Sequence, residues 1–166
     1  MKSVFKRMAI VAIAMLTMSV AVNAQEKGDM AAGGNLVFGS GDNLTNFGIG
    51  AKFQYNVTTP IRLEGSFTYF LEKDFVSMWD LSVNGHYLFP VVDQITVYPL
   101  AGVGILGSKV NFGGFASASD SEFAFNLGGG IDFKLTEKLI LNAELKYKLG
   151  DTWDRLLISV GAAFKF

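Results

Sequence analysis

The sequence predicts an all-β fold, an eight-stranded antiparallel up-and-down transmembrane barrel preceded by a cleavable signal peptide. Three observations favour this fold. Apolar and polar residues alternate one by one in segments of about ten residues, which is the pattern of a strand with two different faces. The charged residues of these segments keep to one phase of the alternation. The first 24 residues have the three parts of an export signal.

The export signal is predicted at residues 1–24. Three basic residues precede residue 8, residues 8–22 carry no charge, and Val22 and Ala24 occupy the two positions that a signal peptidase reads. A transmembrane anchor is the alternative, but the uncharged stretch is shorter than the roughly 20 residues of a spanning helix. We expect cleavage after Ala24, export through the secretory pathway, and a barrel domain over residues 25–166.

Composition excludes several classes of function. The chain has 166 residues, 14 Lys and Arg against 15 Asp and Glu, one His and no Cys. Without cysteine there are no disulfides, thiolate zinc sites or cysteine nucleophiles, and one histidine cannot build a multi-histidine metal centre. A net charge of −1 argues against nucleic acid as a partner. We expect no cofactor and no metal.

Eight strands account for the alternation. In the clearest of them Ile61, Leu63 and Phe67 share one face, and Arg62 and Glu64 share the other. Turn residues such as Gly, Pro, Asn and Asp separate the segments. The predicted strands cover residues 30–39, 47–56, 61–72, 79–89, 95–106, 123–133, 139–149 and 156–166.

The apolar faces of these strands are predicted to meet lipid. They carry no charge, whereas the polar phase is rich in the small residues that fit inside a narrow eight-stranded barrel. Aromatic residues lie toward the strand ends, as Tyr87 and Phe133 do at one end and Phe47 and Trp79 at the other, which is typical of a membrane girdle. A soluble lipid carrier, apolar inside, is the alternative.

The connections are predicted to be tight on one side and long on the other. Turns near 57–60, 90–94 and 134–138 are short, so this side is expected to be periplasmic, with both termini. Loops at 40–46, 73–77, 107–121 and 150–154 are predicted to face outward. The longest, at 107–121, carries two aromatic residues, which suggest contact with a surface ligand. Trp153 is expected to anchor the outer interface.

Several segments resemble the small eight-stranded outer-membrane barrels, which include the transmembrane domain of outer membrane protein A and outer membrane protein X. They are YPLAGVG at 98–104, LGGGID at 127–132, LILNAELKY at 139–147 and a last strand that ends in Phe166. The resemblance implies the outer membrane of a Gram-negative cell, contact with its lipid, and help from periplasmic chaperones and the barrel assembly machinery, with Phe166 as the assembly signal. Pro99 departs from a regular strand and implies a bulge or a late strand start.

The lumen is predicted to hold a nearly balanced set of charges. Buried charges must pair, so we expect ion pairs that close the lumen. A narrow polar pore is the other interpretation. The basic members are Lys52, Arg62, Lys146, Lys148 and Lys165, and the acidic members are Glu64, Glu72, Asp80, Asp132 and Glu144.

No catalytic constellation is visible. His86 is the single histidine and falls on the lumen face, where Ser66 and Ser82 share its phase, but no third group orients them. We therefore do not expect this protein to be an enzyme. The predicted function is a structural or cell-surface contact role for a monomeric barrel with a closed polar lumen; the alternative is a narrow porin that passes small solutes.

Overall fold

The computed structural model describes residues 27–41, 44–73, 76–112, 116–150 and 154–166. The export signal, Ala24 and Trp153 lie outside these residues. No helix in the described ranges is long and apolar enough to cross a membrane. The strands are β1 (Met30–Gly41), β2 (Leu44–Asn56), β3 (Ile61–Lys73), β4 (Val76–Tyr87), β5 (Phe89–Val92), β6 (Ile95–Phe112), β7 (Ala116–Lys134), β8 (Leu139–Gly150) and β9 (Arg155–Lys165).

The strands form one closed antiparallel ring. Apart from β4 and β5, consecutive strands pair with each other, and β1 pairs with β9 to close the sheet. Both β4 and β5 pair with β6, so together they act as a single barrel strand, here called β4/β5. The predicted eight-stranded antiparallel barrel is thus confirmed. Closure leaves no sheet edge in the lipid, where unpaired backbone groups would be costly.

The interruption between β4 and β5 lies opposite Pro99. Pairing of β4 with β6 ends at His86 and Leu100, and pairing of β5 resumes at Phe89 and Val97 in the same register. Proline has no N–H to donate to the facing strand, so the ladder skips two residues without slipping. The prediction of a bulge or late strand start at Pro99 was wrong, because β6 already begins at Ile95 and stays in register with β7.

The two faces are arranged as the alternation predicts. Side chains of the polar phase, such as Arg62, Glu64 and Asn84, are buried inside the ring, while apolar ones such as Leu81 and Val83 are exposed on its outer wall. Such an inverted barrel can bury its outer wall only in a lipid bilayer. Two small apolar clusters lie among the polar lumen side chains. One consists of Val37, Phe70, Met78, Leu106 and Leu157, and the other of Leu88, Tyr98 and Leu100.

The connection predicted as a loop at 107–121 is instead a β-hairpin. Strand β6 runs to Phe112 and β7 starts at Ala116, with unbroken pairing up to that last residue pair. The prediction of a long loop was therefore wrong, as were those of loops at 40–46 and 73–77, where β-strands leave only short connections. The turns at 57–60 and 134–138 are short, as predicted.

The β6–β7 hairpin extends several residues beyond the end of the neighbouring strand β8. Pairing between β7 and β8 begins only at Ala124 and Gly150, so among the residues the structure describes β8 does not pair with residues 116–123 of β7. On the other side, pairing of β4 with β6 reaches as far as Val76 and Val110. At about 3.4 Å per residue, this part of β7, beyond its pairing with the described residues of β8, is roughly 25 Å long.

Candidate functional site

The centre of the lumen is built around Arg62, which extends from β3 toward β7. Its Nη1 lies 2.5 Å from Oδ2 of Asp132, and both side chains are almost fully buried. Its Nε donates to Nδ1 of His86 at 3.1 Å. The guanidinium also lies 4.7 Å from the ring centre of Tyr98, on which His86 stacks with 4.6 Å between ring centres. Arg62, on β3, thus contacts three other strands: β7 through an ion pair, β4 through a hydrogen bond and β6 through an aromatic ring.

A second group of contacts surrounds Glu64. Its Oε2 accepts a hydrogen bond of 2.8 Å from Nε2 of Gln54 and lies 3.8 Å from Nζ of Lys52. The same lysine donates to Oδ1 of Asn142, on β8, at 2.7 Å. Lys52 therefore links two walls of the barrel.

Glu144 joins the same layer from β8. Its Oε2 accepts a hydrogen bond of 3.1 Å from the hydroxyl of Tyr98, and its Oε1 lies 3.3 Å from Nζ of Lys146. These contacts connect β8 with the Arg62 cluster through Tyr98. The lumen at this level is thus one connected polar network.

The outer part of the lumen is closed by Lys148 and Arg155. Lys148 pairs with Asp80 and donates to Ser82 Oγ at 3.1 Å, while Ser82 donates to Asp80 at 2.7 Å. Arg155 donates to Asn46, and its guanidinium lies 4.7 Å from the ring centre of Phe70. The sequence prediction missed Arg155 because the last strand was expected to begin one residue later, although Arg155 shares the lumen phase with Leu157 and Ser159.

These contacts cross the barrel rather than follow its wall. In the ring order, β3 and β7 are three places apart, and so are β2 and β8. Arg155 Nη1 also approaches Sδ of Met78 at 3.1 Å, which joins β9 to β4 on the opposite side of the ring. Because an eight-stranded barrel is only wide enough for its own side chains, such crossings fill the lumen.

Two of the predicted lumen charges lie elsewhere. Glu72 is exposed near the outer end of β3. Lys165 pairs with Asp29 at 2.6 Å at the periplasmic rim, where the two side chains keep 31% and 21% of their exposure. The structure brings the other eight into the lumen, which are Lys52, Arg62, Glu64, Asp80, Asp132, Glu144, Lys146 and Lys148.

Among the residues that the structure describes, Glu64, His86 and Glu144 form a group whose geometry could hold a metal ion. Their ligand atoms lie within 4.8 Å of one another, and all three side chains are buried. The donation from Arg62 to Nδ1 of His86 leaves the imidazole proton on Nε2, so that nitrogen has no free lone pair. Lys52 and Lys146 already neutralise the two carboxylates. The chemistry of this group therefore favours a packed ionic layer over a cation site.

An inverted barrel with a polar, filled lumen defines an outer-membrane β-barrel protein. A model of the outer membrane protein beta-barrel domain matches residues 8–166, and the chain belongs to this family. It is a protein of the cell outer membrane. A search of curated protein sequences finds no significant match.

Solved structures of small outer-membrane barrels share this fold. Ail, the attachment invasion locus protein of Yersinia pestis, is 22% identical over 84% of this chain and 99% of its own, with a TM-score of 0.62. Neisserial surface protein A is 15% identical over 83% and 96%, with a TM-score of 0.69. The N-terminal barrel domain of Pseudomonas aeruginosa OprF is 17% identical over 86% and 100%, with a TM-score of 0.64. At these identities the likeness concerns the fold.

Proposed function

We propose that this outer-membrane barrel is a cell-surface contact protein, in which the packed lumen is a structural plug and the β6–β7 hairpin is the contact surface. The observation that carries the proposal is the length of that hairpin. It extends beyond β8, which does not pair with residues 116–123 of β7 in the described structure. An extended polypeptide can add to such an edge by backbone hydrogen bonds.

The edge has the properties of a strand-addition site. The backbone N–H of Ser121 faces away from β6, because that of Lys134, at the opposite parity of the same unbroken register, donates to Gln94 before β6. Its acceptor is the carboxylate of its neighbour Asp120 at 2.9 Å, which an added strand would displace. Natural sheet edges are commonly blocked by Lys, Pro or a bulge. Residues 116–123 contain neither Lys nor Pro, and their pairing with β6 has no bulge.

The charge of the hairpin narrows the class of partner. Residues 107–123 contain one basic residue, Lys109, against the acidic residues Asp120 and Glu122. Ail has been crystallised with the heparin analogue sucrose octasulfate, but a hairpin of this charge offers little attraction to a polysulfated ligand. The chemistry favours a neutral or basic polypeptide in extended conformation.

Strand addition can be tested with two variants at one position. Peptides selected from a random library against the folded barrel in nanodiscs are expected to lose at least tenfold in affinity for S121P, because proline removes the edge-facing N–H. S121A keeps that N–H and serves as the matched control, with affinity near wild type by biolayer interferometry. Equal binding to S121P and wild type would rule out the edge as the contact surface.

A closed lumen predicts electrical silence. The refolded protein in a planar bilayer is expected to show no stable single-channel steps, because side chains from opposite walls fill the lumen. Heat-shifted gel mobility of the same sample confirms that the barrel is folded. Stable steps from a folded sample would contradict the plug and favour the narrow porin.

A further inference from the structure

A large groove lies on the outer, lipid-facing wall of the barrel. It has a volume of about 1060 Å³ and an almost wholly apolar lining, and its lining residues run from Ile61 on β3 across β4/β5, β6, β7 and β8 to Leu156 on β9. Its size is at the upper end of ligand pockets, which hold roughly 300–1,000 Å³. None of its lining residues carries a charge, although His86 of the Arg62 cluster is among them.

Small residues on neighbouring strands create this depression. Gly85 pairs with Ala101 across one strand boundary, and Pro99 pairs with Gly129 across the next. Large side chains flank them, among them Leu145 on β8. The interruption of the ladder opposite Pro99 lies in the floor of the groove. The wall is therefore thinnest where four small residues come together.

We propose that the groove binds one acyl chain of a phospholipid from the periplasmic leaflet. Lipid hydrocarbon surrounds this face of the barrel, and an almost wholly apolar lining gives water few hydrogen-bond partners. An apolar void of this size would forgo contacts that an acyl chain supplies. The occupant is thus hydrocarbon, and the surrounding bilayer is its source.

The two ends of the groove differ in character. The outer end is formed by Tyr147 and Leu156, and the hydroxyl of Tyr147 donates to the carboxylate of Asp154 at 3.3 Å. A carboxylate there repels the phosphates of outer-leaflet lipid headgroups. The other end, at Ile61 and Tyr87, lies beside the periplasmic turns, where the ring of Tyr87 contacts that of Phe89. We therefore expect the phospholipid chain to enter the groove from the periplasmic side.

Two leucine substitutions test the groove. A side chain at Gly85 would project into it, and its Cβ has room because the nearest atom, the carbonyl oxygen of Ala101, is 3.8 Å away. Gly65 also lies on the lipid-facing side of β3, with nothing within 4 Å of its Cβ, but it does not line the groove. G85L is the test variant and G65L its matched control.

The measurement is native mass spectrometry of the protein released from nanodiscs of phosphatidylethanolamine and phosphatidylglycerol. We expect wild type and G65L to retain one phospholipid, and G85L to lose at least four-fifths of that adduct. A101L fills the groove from the facing strand and is expected to behave like G85L, provided that heat-shifted mobility shows it folded. Equal retention by all folded variants overturns the proposal, and so does an adduct with the mass of a free fatty acid or of detergent alone.

Discussion

Replacing Asp132 by Asn is expected to lower the free energy of unfolding by about 3–5 kcal/mol, since it leaves a buried charge without its partner. Arg62 is 1% exposed, and Asp132 is the carboxylate that it contacts most closely. The neighbours that remain, His86 and Tyr98, carry no negative charge to replace it. Urea titration of the folded barrel in detergent micelles, followed by heat-shifted mobility, measures the change.

The matched control is Asp29→Asn at the periplasmic rim. Asp29 makes the same kind of contact with Lys165, but both side chains are partly in solvent, so we expect a loss below about 1 kcal/mol. A double variant, R62M with D132L, removes both charges and is expected to recover most of the stability lost by D132N. Equal effects of D132N and D29N would contradict the buried bridge.

Placing an arginine at Val83 is expected to destabilise the protein in a bilayer by about 2–4 kcal/mol, which is the penalty for a basic residue on the lipid face at the midplane. Val83 lies in the middle of β4/β5 and is 55% exposed on the outer wall. On a water-soluble protein such an exposed position would accept arginine with little change. Unfolding by urea in phospholipid vesicles measures the loss.

Gln94→Arg provides the comparison. Gln94 is exposed in the turn between β5 and β6, outside the apolar belt, and the substitution adds the same side chain. We expect its effect on the free energy of unfolding to stay within about 0.5 kcal/mol. If V83R were as stable as Q94R in vesicles, the outer wall would not face lipid. The alternative of a soluble lipid carrier would then be favoured.

The alternation predicted the barrel because each strand borders two different environments. Residues 61–71 show this best, since lipid selects the odd positions and the lumen selects the even ones. The hairpin escaped prediction for the same reason. Beyond the bilayer both faces of a strand meet water, so a sequence such as ASASDSE at 116–122 carries no alternation and is indistinguishable from a loop.

The charges of the lumen could be located by phase, but their partners could not. Arg62 meets Asp132 because strand tilt and stagger bring those two positions to one level of the barrel, and neither quantity is visible in a single sequence. Arg155 is the first residue of the last strand. An error of one residue in the predicted start of that strand therefore leaves it out of the lumen face. Tyr98, which contacts Arg62, His86 and Glu144, falls in the predicted strand 95–106, where apolar residues occupy both phases of the alternation.

The break opposite Pro99 gives this ring a preferred seam. A closed barrel has no terminal strand from which unfolding can start. It must therefore open between two paired strands, and it opens first at the pair with the weakest pairing. Here the boundary between β4/β5 and β6 is short of hydrogen bonds at Tyr87 and Leu88, and the Leu88 N–H is committed to Pro60 on the opposite side. Mechanical failure of the barrel therefore has a place to begin, and it lies beside the lipid groove.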